Sequence, residues 1–96
     1  IDAVTGQAIS GFESGIDQLV LNPGLPGLRS LALRSVGSGR KSLKKGLLSS
    51  APLIYQPSTG DLFLNANGKG KGFGDGGLLA DLGAGTGLAQ ADLVLG

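Results

Sequence analysis

Glycine occupies 19 of the 96 positions, and that density governs what the chain can build. Glycine gives up more backbone freedom on folding than any other residue and weakens helix and strand interiors. A chain so far above the usual glycine share of about 7% is expected to use short elements joined by tight turns. The glycines follow no three-residue period, which excludes collagen. Hydrophobic residues make up 41% and charged residues 16%, too apolar and too weakly charged for a disordered chain. Residues 1–96 are expected to form a single domain. The opening Ile1-Asp2-Ala3-Val4 carries no initiating Met and no signal peptide, so the chain reads as part of a longer protein.

Cys, His, Met and Trp are absent. Disulfides, thiolate or imidazole metal sites and nucleophile–histidine catalysis are thereby excluded. Any metal must be a hard cation held by oxygen. The seven acids are scattered over turn-like segments, with no pattern that would converge carboxylates for acid–base work, and no enzymatic activity is expected. No apolar run reaches the length of a membrane-spanning helix.

Strand signals recur along the chain. Residues 8–12 and 16–21 read as short strands around a turn at Glu13-Ser14-Gly15, with Leu19 and Leu21 on one face. Asn22-Pro23-Gly24-Leu25-Pro26-Gly27 is a loop, because its prolines cannot donate to a ladder. Residues 28–36 alternate as a strand would, though Leu28, Leu31 and Ala32 would also suit a short helix. Residues 53–65 are a predicted hairpin. Pro57-Ser58-Thr59-Gly60 presets the turn, and Leu62 and Leu64 oppose Phe63 across the returning strand. Asn67-Gly68 opens another turn, a glycine-rich run reaches Gly77, and strands are expected at 78–82 and 91–95. The expected fold class is therefore all-β: short antiparallel strands and hairpins with glycine-rich loops, sandwich-like or a single sheet. No internal repeat of fixed period is read from the sequence.

Charge is segregated although the net charge is only +1. Residues 29–45 hold Arg29, Arg34, Arg40, Lys41, Lys44 and Lys45 and no acid. Gly37 to Gly46 reads as a basic, solvated loop. It has no interleaved aromatics for base stacking and lacks the spacing of a phosphate-binding loop, so no nucleic-acid partner is expected. Gly83-Ala84-Gly85-Thr86-Gly87 is not a dinucleotide fingerprint, since its third glycine comes one residue early; it is expected to be a tight loop.

Three ordered stretches resemble the C-terminal flanking region of RTX (repeats-in-toxin) proteins. Leu53-Ile54-Tyr55-Gln56-Pro57-Ser58-Thr59-Gly60-Asp61-Leu62, continuing to Asn65-Ala66-Asn67-Gly68-Lys69-Gly70, is similar to the family's aliphatic–Tyr–Asp–x–x–Thr–Gly–x–Leu strand pair and its following Asp-Ala-Asp-Gly-x-Gly. Ile9-Ser10-Gly11-Phe12-Glu13-Ser14-Gly15-Ile16-Asp17-Gln18-Leu19-Val20-Leu21 resembles the segment that closes the family's calcium-binding β-roll. Leu88-Ala89-Gln90-Ala91-Asp92-Leu93-Val94-Leu95 resembles the family's acid-plus-aliphatic ending. The glycine–aspartate nonapeptide itself is absent, and Asn65 and Asn67 stand where the family carries Asp.

The resemblance implies a secreted protein, extracellular or at the cell surface, exported by a type I ABC apparatus that reads an uncleaved C-terminal signal. Asp92, Leu93, Val94 and Leu95 fall where that signal would lie. The domain would cap upstream β-roll repeats and nucleate their folding in calcium. Asp17, Asp61, Asn65 and Asn67 are the candidates for a weak calcium site within the chain itself; turn chemistry alone also accounts for Asp61, Asn65 and Asn67. The alternative expectation is an adhesion or surface-assembly module that self-associates through an exposed sheet edge.

Overall fold

A computed structural model describes residues 1, 3–66, 73–74 and 76–96. Seven strands and one helix occur among them: β1 (Gln7–Ala8), β2 (Leu19–Leu21), β3 (Leu33–Ser35), α1 (Gly39–Leu47), β4 (Leu53–Gln56), β5 (Asp61–Leu64), β6 (Gly77–Asp81) and β7 (Leu93–Leu95). Five strands form a mixed sheet in the order β1-β6-β5-β4-β3, and β2 pairs with β7.

The hairpin is where the turn chemistry puts it. β4 and β5 are antiparallel, with Leu53 opposite Leu64 and Gln56 opposite Asp61. The amides of Thr59 and Gly60 both donate to Gln56 O, at 3.2 and 2.9 Å. Leu62 and Leu64 are buried while Phe63 on the opposite face is half-buried. Phe63 stacks on Phe73 with ring centroids 5.1 Å apart. β6 adds antiparallel to β5 through an irregularity at Leu62/Phe63. The Asn67-Gly68 turn lies outside the described residues, as does most of the run to Gly77.

Two expectations need correction. The remaining pairings, β1 with β6, β2 with β7 and β3 with β4, are parallel rather than antiparallel. Alternation of apolar residues sets which face a strand buries but not the direction of its partner. The basic segment is also not a loop. Residues 39–47 form α1, because Arg, Lys and Leu all favour helix and Leu43 and Leu47 lie one turn apart on the side that packs inward. Lys44 and Lys45 sit in the last turn, where cations meet the negative end of the helix dipole.

Gly46 is the contact point of α1 rather than its boundary. A Cβ there would fall 2.5 Å from Val36 Cγ1 and 3.2 Å from Ile54 Cγ2. β4 is consequently buried along its whole length. Ile54 lies beneath α1, while Leu53 and Tyr55 point into the main core with Leu62, Leu64, Leu79 and Ala80. Leu19 and Leu21 of β2 and Leu93 of β7 belong to that same cluster, so the β2–β7 pair is sealed against the larger sheet.

Candidate functional site

The two ends of the chain run side by side. Gln7 pairs with Ala80 and Ala8 with Asp81; farther along, Leu19 pairs with Leu93, Val20 with Val94 and Leu21 with Leu95. Two copies of the tripeptide Leu-Val-Leu therefore stack in parallel register. Ile1 extends this ladder on the other side of β2. Its ammonium donates to Val20 O, and its carbonyl accepts from the Asn22 amide at 2.9 Å. One residue bonded to the two neighbours of a single residue opposite is the parallel pattern, so Ile1, β2 and β7 are three successive members of one ladder.

Asp92 fastens the ends between the two ladder segments. It closes the short 3-10 turn Gln90–Asp92 that leads into β7, and its side chain is 4% exposed. One carboxylate oxygen accepts from the Gly15 amide at 2.9 Å. The other accepts from the Ser14 hydroxyl and from the Ala89 amide at 2.9 Å. The Ser14 hydroxyl, then the Ala89 and Gly15 amides, hold the Asp92 carboxyl below its ordinary value of 3.8, against an opposing push from burial. Three donors satisfy a buried charge that would otherwise be costly. Asp92, Leu93, Val94 and Leu95, the residues that the resemblance leads one to expect in an export signal, are thus folded against residues 14–21. Ser14, Gly15 and Ala89 are essential to this arrangement and were not singled out from sequence; Ser14-Gly15 carried only a turn signal.

The calcium candidates are placed differently. Asp17 lies in the turn before β2, where its Oδ2 accepts from the Glu13 amide at 2.9 Å. Asp61 opens β5, opposite Gln56 on one side and Asp81 on the other. Asn65 follows the far end of β5, about 13 Å from Asp61 at the rise of a strand, so the two cannot share an ion. Asn67 lies outside the described residues. Asn65 is fully buried, and its amide nitrogen donates to the carbonyls of Leu47, Ser49 and Ala51 at 3.2, 3.2 and 3.3 Å. It ties the segment after α1 to the end of β5. Among the described residues no three acidic side chains gather at one point.

Asn65→Asp tests the donor role. A carboxylate facing three carbonyls should destabilise the domain by about 2–4 kcal/mol, read as a lower urea midpoint at neutral pH. An unchanged midpoint would show that the amide hydrogens are not required.

A concavity beside β1 is lined by Ala8, Ile9, Ser10, Asp81, Leu82 and Gly83. Its one carboxylate, Asp81, accepts from the Gly83 amide at 2.9 Å. No described helix is long and apolar enough to cross a membrane. No protein-family model, curated protein or solved structure matches the chain.

Proposed function

We propose that the chain is the non-enzymatic C-terminal capping domain of a secreted, RTX-like protein. It closes and nucleates upstream calcium-binding repeats, and its last strand doubles as the signal read by a type I ABC exporter. The calcium in this reading belongs to the repeats.

The Ile1–β2–β7 ladder carries the proposal. A parallel coil stack exposes an unpaired edge and an apolar face at its end unless something closes it. Ile1 already bonds to β2 in the parallel pattern, so a coil preceding it would continue the same ladder. β2, β7 and the Asp92 clasp would then be the closure. The resemblance of residues 9–21, 53–70 and 88–95 to the RTX flanking region supports the same role.

The test places RTX nonapeptide repeats directly before Ile1 and follows calcium-induced β-structure by circular dichroism. The repeats should fold at several-fold lower calcium with residues 1–96 attached than without them. An identical midpoint would overturn the capping role. In a host carrying a type I exporter, a passenger fused to the chain should be exported, and deletion of residues 92–96 should abolish export. Unchanged export of the deletion variant would remove the signal from the proposal.

Val20 and Leu95 are 49% and 52% exposed, and this favours a second reading, assembly between copies along β7. Sedimentation at several concentrations separates the two, because a pure cap remains a monomer.

A further inference from the structure

Folding of the basic segment into a helix sorts its side chains. At about 100° per residue, Arg40, Lys41, Lys44 and Lys45 fall within an arc of about 140°, while Leu43, Gly46 and Leu47 occupy the arc facing β4. All four cations are exposed, and no Asp or Glu occurs anywhere between Asp17 and Asp61 to offset them. Arg34, on the neighbouring edge strand β3, is exposed as well.

Leu48 gives this face its character. It caps the helix in the αR conformation, φ −83° and ψ −4°, so it continues the helical path and falls at about 80° on the same scale, near the middle of the cationic arc. It is 54% exposed. An apolar side chain set among cations suits a partner that offers negative charge at its surface and hydrocarbon just beneath. A nucleic acid would call for aromatic stacking platforms, and α1 contains no aromatic residue.

We propose that the outer face of α1, comprising Arg40, Lys41, Lys44, Lys45 and Leu48, docks the domain on an anionic lipid surface. This inference goes beyond the capping role and stands or falls independently of it. Arg40 and the three lysines supply long-range attraction to the headgroups, and Leu48 enters the interfacial region between them. The face is small, so binding is reversible and falls as salt rises.

The 96-residue chain is mixed with vesicles of phosphatidylcholine alone or of phosphatidylcholine with phosphatidylglycerol, and the bound fraction is measured by co-sedimentation. Binding is expected on the anionic vesicles only, with a steep loss at high salt. The double variant K44Q/K45Q should lower the partition coefficient about 30-fold, since each cation near such a surface contributes roughly fivefold. Leu48→Ser should lower it severalfold while leaving the salt dependence unchanged. All of these side chains are exposed, so circular dichroism should show every variant folded. Equal binding to neutral vesicles, or an unaffected K44Q/K45Q variant, overturns the proposal. Tighter binding to duplex DNA than to anionic vesicles also overturns it and reassigns the face to a polyanion.

Discussion

Gly60→Ala is expected to cost the domain a large share of its stability. Gly60 is buried at the end of the β4–β5 turn with φ +78°, a left-handed conformation that costs an L-residue roughly 1–2 kcal/mol. Sterics add more. A Cβ at this position would stand 2.1 Å from Gly83 O, 2.4 Å from Gly83 C and 2.5 Å from Gly83 N. Those atoms are backbone, so no rotamer change can relieve the overlap. The loop after β6 is itself fastened to the turn: Leu82 N donates to Gly60 O at 2.7 Å and Gly85 N to Pro57 O at 2.8 Å. Moving it also strips the Tyr55 hydroxyl of its acceptor, Thr86 O. The combined cost is on the order of 4 kcal/mol, a large share of the 5–15 kcal/mol typical of a domain.

Gly85→Ala is the internal control. Gly85 also has positive φ, +80°, but a Cβ there meets nothing within 4 Å. Its cost should be about 1–2 kcal/mol, the conformational part alone. Tyr55 is the only tyrosine and is fully buried, so its near-ultraviolet dichroism reports on this junction in both variants. Urea midpoints that are equal for the two would refute the steric argument.

The contrast marks what the sequence could disclose. Pro57 to Gly60 spelled out a turn, and the alternation of Leu62, Phe63 and Leu64 gave the buried face of β5, because these are local properties of a few consecutive residues. The need for glycine at 60 was only half visible, since Gly83 approaches from 23 positions away along the chain. The same locality explains the misread helix. Gly37 and Gly46 looked like the limits of a loop, yet Gly46 is small because Val36 and Ile54 leave no room beside it. Parallel pairing was invisible for a related reason: the partners of β1 and β2 lie at the other end of the chain. Asp92 was singled out in the sequence only as part of an acid-plus-aliphatic ending, not as a structural clasp. What it holds depends on Ser14 and Gly15, which no local pattern connects to it.

That clasp yields the second large effect. Asp92→Asn changes the shape of the side chain little but reverses its hydrogen bonding. One orientation places the amide nitrogen against the Gly15 amide, and the other places it against both the Ala89 amide and the Ser14 hydroxyl. Ser14 can rotate; a backbone N–H cannot become an acceptor. At least one donor is left facing another donor in a nearly closed site, and Tm near neutral pH should fall on the order of 10 °C. The pH dependence separates this from simple loss of packing. Asp92 titrates below its ordinary value in the folded chain, so its contribution is fully present above the unfolded-state value near 4 and is lost as pH falls through the folded one. The wild-type chain should lose stability across that window by more than the Asn variant does, and the two curves should converge at the acid end. Ser14→Ala, which removes only the largest cause of the lowered value, should lie between them. Parallel curves for wild type and Asp92→Asn would mean that the charge of Asp92 does not hold the chain ends together.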